Sequence, residues 1–308
     1  MIYHLRMSVS PSRRFFPARV CREFVMDYHK DMTMKTETKQ TAYPSVDAIF
    51  LDVDGTLYDH AAGCIPPRHL EAMKILQEGG TKVCLCSGRC MPLLENLGIL
   101  DQFPFDGIVA GNGSYVYAQN GTLIFDDPVD PEAVKQIYAL AAAQSIPVFA
   151  AGNHVLVTAM TPAVEDLFAK ISVKDIPVRH PRPDDTFAVL SLVEEHRKPH
   201  PEFAVSGVKI LENELSMDMM KDGLSKYEGI RTLLDHYGLK SYIAFGDALN
   251  DLEMLQHANV GVAMGNAQPE LLEVIPETCP PVTEAGIYQW LQAHGYLDTA
   301  VASGADGQ

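Results

Sequence analysis

This chain of 308 residues is short of positive charge: 24 Lys and Arg stand against 40 Asp and Glu, a formal net charge of −16. Nucleic-acid backbones are gripped by basic surface, so the deficit argues against a nucleic-acid partner. Long apolar runs are missing too. None approaches the roughly 18 residues that a membrane-spanning helix needs, so no membrane partner is expected. The six cysteines are scattered, without the paired spacing of a zinc site. Cys84 and Cys86 alternate along an apolar run and read as buried small hydrophobes. Reduced thiols, and the lack of the apolar segment of a secretory leader, point to the cytoplasm. Two nucleotide-binding signatures are absent. There is no Gly-Lys-Ser/Thr, which excludes a P-loop kinase. Gly111-Asn112-Gly113 lacks the third glycine of a dinucleotide loop, because position 116 is Val, and it reads as turn chemistry.

What is present is ordinary globular material, 47% hydrophobic and 21% charged. Its length suits about two domains. The chain is organised around Val46–Asp59, V-D-A-I-F-L-D-V-D-G-T-L-Y-D. The apolar, β-branched first half suits a strand buried on both faces. Asp52, Asp54 and Gly55 should end that strand and turn the chain. In an open parallel sheet, ligands bind outside the carboxyl ends of strands, where two acids spaced i, i+2 can serve one small site. Crowded, desolvated carboxylates repel unless a cation or a proton relieves them, and Mg²⁺ suits such hard oxygen ligands. Alternatively, the two acids are solvated members of an Asx-turn.

Along the chain, residues 1–40 carry eight basic against four acidic residues. Residues 1–45 read as a disordered extension with no catalytic part. A helix over Ile65–Gln77 ends at Gly79-Gly80, and the strand Thr81–Cys86 leads into Ser87-Gly88-Arg89. This is either an anion cradle or a helix N-cap. Asn120-Gly121 predicts a hairpin between Ser114–Ala118 and Leu123–Phe125. From 128 to 211 the texture changes to a smaller α+β module. Within it Arg179, His180, Arg182 and His200 read as solvated surface, with a substrate contact as the alternative. The segments 46–127 and 212–298 form the main domain, and residues 299–308 fray. In the main domain the strand Leu215–Met220 leads to Lys226, at the start of a helix. The strand Tyr242–Phe245 ends in Gly246-Asp247-Ala248-Leu249-Asn250-Asp251, and Gly261–Gly265 reads as a further core strand.

Four weak signals thus fall in order at predicted strand ends: Asp-x-Asp-Gly-Thr, Ser-Gly-Arg, a lone Lys and Gly-Asp-x-x-Asn-Asp. Together they resemble the haloacid dehalogenase superfamily of phosphohydrolases, in particular its Cof-type sugar-phosphatase branch. The likeness covers about residues 46–297 and is specific in the core, vague in the inserted module. It departs from the family pattern at Tyr227, where a glycine often follows the lysine. It departs again at Glu284-Ala285-Gly286, where the family usually has an acidic pair before the glycine.

The resemblance implies a doubly wound α/β fold, a mostly parallel Rossmann-like sheet carrying an inserted α+β cap. It also implies Mg²⁺-dependent hydrolysis of small phosphomonoesters, such as sugar phosphates, through an aspartyl-phosphate. Asp52 matches the nucleophile and Asp54 the general acid/base, whose pKa should then sit above the usual Asp value. Asp52, the backbone carbonyl of Asp54 and Asp247 would hold the metal. The Val53 N–H, Ser87, the Gly88 N–H, Lys226 and Asn250 would grip the phosphoryl oxygens, with Thr56 and Asp251 supporting from behind. A phosphomutase using the same two Asp residues, or a sensor that has lost turnover, are the competing readings. The second Asp argues against a dehalogenase, since a halide needs no proton.

Overall fold

The structure, a computed structural model, describes residues 46–194, 200–212 and 215–298. The expectations for residues 1–45 and 299–308 lie outside the described residues. In chain order the first elements are β1 (Ala48–Leu51), α1 (Pro67–Glu78), β2 (Lys82–Cys86), α2 (Met91–Leu97) and β3 (Gly107–Ala110), then β4 (Tyr115–Ala118) and β5 (Thr122–Asp126). The inserted module runs through α3 (Pro131–Gln144), β6 (Val148–Gly152), β7 (Val155–Val157), α4 (Pro162–Lys170), β8 (Phe187–Val193), β9 (Val208–Glu212) and β10 (Ser216–Lys221). The chain returns through α5 (Lys226–Tyr237), β11 (Tyr242–Gly246), α6 (Leu252–His257), β12 (Val260–Met264), α7 (Pro269–Val274), β13 (Glu277–Cys279) and α8 (Gly286–Ala293).

The main sheet has the order β13-β12-β11-β1-β2-β3-β4-β5. It is parallel from β13 to β3 and antiparallel through the β4–β5 hairpin at its edge. β1 lies at its centre and is buried at every position, as its sequence requires. Alternation then sorts its side chains. Ile49 and Leu51 pack with Met73 of α1 and with Ile287 and Trp290 of α8, whereas Ala48 and Phe50 pack with Ile230 and Leu233 of α5 and Met254 of α6. Each fully buried residue of this size contributes roughly 1.5–3 kcal/mol. Helices therefore cover both faces of a mostly parallel sheet. No helix among the described residues is long and apolar enough to cross a membrane.

The inserted sheet is antiparallel, in the order β7-β6-β8-β10-β9. Here the structure corrects the expected boundary at residue 211. Both Val208–Glu212 and Ser216–Lys221 belong to the inserted sheet, with Asp218 of β10 opposite Ser191 of β8. A short apolar run does not say which sheet will pair with it, because pairing is a non-local choice. The two faces of this sheet have different work. Val148, Ala150, Leu190 and Leu192 pack under Ala133, Ile137 and Ala141 of α3. The opposite face carries Phe149, whose ring meets Phe168 of α4 edge-on at 5.0 Å.

Candidate active site

The parallel pairing brings the carboxyl ends of β11, β1 and β2 side by side, and each is followed by one of the sequence signals. The Asp52 N–H donates to the Phe245 carbonyl at 3.0 Å, extending the β1–β11 ladder by one residue and aligning Asp52 with the approach to Asp247. Gly55 then turns the chain with φ +81°, and a Cβ there would stand 2.4 Å from an Asp247 carboxylate oxygen. Glycine is required for both reasons. Thr56 donates its hydroxyl to Asp247 Oδ1 at 3.1 Å.

Lys226 occupies the first turn of α5, whose N-cap Ser225 accepts from the Glu228 N–H. The lysine is only 1% exposed, and its ammonium donates to Asp52 Oδ1 and Asp251 Oδ1, both at 2.5 Å. The other oxygen of Asp251 accepts from the Asp247 and Ala248 N–H groups at 2.9 and 3.0 Å. Asp251 thus uses both oxygens to brace the loop and the lysine. Burial opposes the charge on Lys226, but Asp251 and Asp52 outweigh it and hold the ammonium above its usual range.

Asp52, Asp247 and Asp251 offer oxygens that lie within 4.8 Å of one another. Three carboxylates against one ammonium leave two negative charges in a buried place. The strain shows in the acids. Burial first, then the charge of Asp251, pushes the Asp52 carboxyl well up. The same two causes raise Asp247 to about 6, against the hydrogen bond from Thr56. An all-oxygen donor set with an excess of two negative charges fits a hard divalent cation. Asp52 and Asp247 are the better placed to hold it, since Asp251 has no oxygen to spare.

Asp54 faces a different neighbourhood. Its side chain, 41% exposed, stands apart from the three-Asp cluster. Arg89 clamps it, with Nε 2.8 Å from Oδ2 and Nη2 2.7 Å from Oδ1, and His60 Nε2 lies 2.7 Å from Oδ1. Burial raises its pKa, but the His60 hydrogen bond and the Arg89 charge prevail and hold the carboxyl well below the usual carboxylate range. The expectation of a raised value is therefore corrected. The reason is a pair of cationic or hydrogen-bonding partners that the spacing of the acids does not reveal.

Both partners also reach the inserted module. Arg89 Nη2 donates to the Ile171 carbonyl at 2.5 Å, and His60 Nδ1 lies 2.9 Å from the Ser172 hydroxyl. Nearby, Asn96 and Lys174 exchange two hydrogen bonds, of 2.8 and 3.1 Å. The module is thus seated directly over the acids as a cap.

The remaining expected residues fall around the same place. Ser87 is fully buried, and its hydroxyl accepts from the Arg89 N–H at 3.1 Å. Gly88 lies against Asn112, which adopts φ 54° and accepts a hydrogen bond from Asn250 Nδ2 at 3.1 Å. The N–H groups of Val53 and Gly88 have no partner among the described residues. Asp52, Asp54, Gly88, Asp247 and Asn250 line one cleft of about 220 Å³. By contrast, Arg179 is paired with Asp185, and His200 sits between Glu194 and Glu202; neither lines this cleft. Tyr227, where the family often has glycine, stacks on His257 with centroids 4.0 Å apart, away from the acids.

Sequence reasoning did not assign a site role to Arg89, His60, Ser172 or Asn112. Arg89 had a signal, since it directly follows Ser87-Gly88. Asn112 had a weaker one, as a non-glycine residue between two turn glycines. His60 and Ser172 are 112 residues apart and had none.

Known proteins resemble this chain over most of its length. Residues 49–291 match the model of the haloacid dehalogenase-like hydrolases. Among curated relatives, "Putative phosphatase YkrA" of Bacillus subtilis (strain 168) is 32% identical over 266 residues, covering 81% of this chain and 98% of that protein. Among solved structures, the phosphatase BT1666 from Bacteroides thetaiotaomicron aligns with a TM-score of 0.72 at 25% identity, over 86% of this chain and 99% of that one. A subclass IIB sugar phosphatase, BT4131, aligns with a TM-score of 0.68, also at 25% identity, over 81% and 99% of the two chains.

Proposed function

Because the chain belongs to the haloacid dehalogenase-like hydrolases and is a phosphatase of that family, we propose that it hydrolyses small phosphomonoesters through an aspartyl-phosphate on Asp52, with Mg²⁺ as cofactor. The observation that carries the reading is the Asp52–Lys226–Asp251 network beside Asp247, buried and two charges too negative. Such a site is costly to keep without a cation to complete it.

Asp52 and Asp247, with the Asp54 carbonyl, would hold Mg²⁺. When bound, the ion lets the anionic nucleophile and the phosphoryl group approach, and screens charge on the equatorial oxygens. The chain's own groups do the rest. Lys226 and Asn250, together with Ser87 and the unpartnered N–H groups of Val53 and Gly88, bind and orient the phosphoryl oxygens. An Asp52 oxygen forms a bond to phosphorus as the ester P–O bond breaks, and the leaving alkoxide takes a proton from Asp54. Water then attacks the aspartyl-phosphate, giving a proton back to Asp54 while the Asp52–phosphorus bond breaks. Arg89 and His60 orient Asp54 for both transfers. Held below the usual carboxylate range by His60 and Arg89, Asp54 suits the base role of the second step, and for the first it must take up a proton when the ester binds. Cap seating through Ile171 and Ser172 keeps bulk water away.

The test is phosphate release from a set of phosphomonoesters with Mg²⁺ and with excess chelator. Activity should require the metal, and Asp52→Asn should lower turnover by about 10⁴-fold or more. Undiminished activity in chelator, or an active Asp52→Asn protein, would refute the mechanism.

A further inference from the structure

The cap's register fixes which side chains face the acids. β6 and β8 pair with Phe149 opposite Ser191 and Ala151 opposite Val189. Because side chains alternate, these four share one face, the face that looks onto the cleft holding Asp52 and Asp54. Ile171 closes the patch where the cap meets Arg89. The roof is therefore apolar except for one hydroxyl. Ser191 makes no side-chain hydrogen bond within the described residues, so its hydroxyl is available to a ligand.

The charges say more. The sole cation lining this cleft among the described residues is Arg89; Asp54 neutralises it through Nε and Nη2, and its unpartnered nitrogen, Nη1, is fully buried. Lys209 lies in a neighbouring recess beyond Asn250, where its ammonium is held by the Leu224 carbonyl. A leaving group with a second phosphate or a carboxylate would meet no exposed, unpaired cation under this roof. A polyol would place several hydroxyls against Phe149, Ala151 and Val189, losing hydrogen bonds to water with a single serine in return.

Resting on the phosphatase reading above, we infer that the preferred substrate is the phosphate of a compact, uncharged alcohol with an aromatic or alicyclic face. Phe149, Ala151 and Val189 pack against that face, and Ser191 makes the one polar contact. This departs from the sugar phosphates that the sequence resemblance suggested.

The test compares kcat/KM for benzyl phosphate, a hexose 6-phosphate and phosphoglycolate, all with Mg²⁺. The first two leave as primary alcohols, so they make similar demands on Asp54. Acetyl phosphate, which has little to offer the roof, reports on the phosphatase reading alone. Benzyl phosphate should exceed the hexose phosphate and phosphoglycolate by about 10-fold or more. Phe149→Ala should cut that ratio several-fold. Val189→Thr, which adds a hydroxyl at a partly buried position with little change of volume, should shift the ratio toward the hexose phosphate, with its unfolding midpoint checked beside it. Equal or greater kcat/KM for the hexose phosphate or phosphoglycolate, with acetyl phosphate turned over, overturns the inference and leaves the phosphatase reading intact. No release from acetyl phosphate or any ester overturns both.

Discussion

The floor and the roof of the cleft are built on opposite plans. The floor is a network of buried charges, in which Lys226, Asp52, Asp247 and Asp251 are each positioned by more than one contact. The roof is a patch, apolar but for Ser191, set by the register of β6 and β8 and closed by Ile171. Core and cap meet at several polar points, among them Arg89 with Ile171, His60 with Ser172, Asn96 with Lys174 and Tyr115 with Thr186. The difference teaches that the reaction and the choice of substrate are separable. Charge networks tolerate little change, because removing one partner strands another, whereas an apolar face can be exchanged residue by residue at modest cost.

The sharpest way to break this comparison is to remove the charge at its centre. Lys226→Met should destabilise the metal-free protein by about 3–5 kcal/mol, because Asp52 and Asp251 lose their shared counter-charge. Mg²⁺ should recover part of that loss in chemical denaturation. A variant as stable as the parent in chelator would show the network to be dispensable.

A second test uses a buried group in the core that no cation relieves. His69 of α1 is fully buried, its Nε2 has no hydrogen-bond partner among the described residues, and burial lowers its pKa to about 4 despite the Nδ1 contact with the Leu57 carbonyl at 3.5 Å. In the unfolded chain it takes up a proton near pH 6.5, which the folded protein resists. Its contribution is therefore intact above pH 6.5 and is lost as pH falls toward 4. The loss should reach about 3 kcal/mol. His69→Leu should flatten that part of the stability–pH curve relative to the parent, and an unchanged slope would assign the acid sensitivity elsewhere.

The contact between floor and roof should show a smaller effect. Ser172→Ala removes the cap's hydrogen bond to His60. A loss of about 1 kcal/mol, or roughly 5-fold in kcat, is expected for esters with poor leaving groups, and less for good ones. An equal loss for both would mean that the serine only supports the cap. The smallest effect belongs to Ala285, which holds φ 56° with a Cβ that disfavours it. Ala285→Gly should stabilise the protein by about 0.5–1 kcal/mol in thermal or urea unfolding without altering kcat.

How much of this was legible follows from how far each signal reaches along the chain. The acids after β1, the serine after β2, the lysine opening α5 and the acids after β11 each sit at the end of a local pattern. An apolar run followed by a turn announces a strand end, and parallel strands end on the same side of their sheet. The Asn120-Gly121 hairpin was legible for the same reason, since two residues determine the turn. The raised acidity of Asp54 was not, because Arg89 lies 35 residues away and acts only once β1 and β2 are paired.

By itself, then, the sequence determined the order of the elements, the residues at the strand ends and the reaction family. These depend on short-range patterning and on which residue types can carry the chemistry. Only the tertiary structure decided that β9 and β10 join the cap, that Arg89 and His60 hold Asp54 ionised, and that Phe149, Ala151 and Val189 form the roof. Each depends on which distant strand pairs with which, and in what register. A shift of one residue in that pairing would turn a different set of side chains toward the acids.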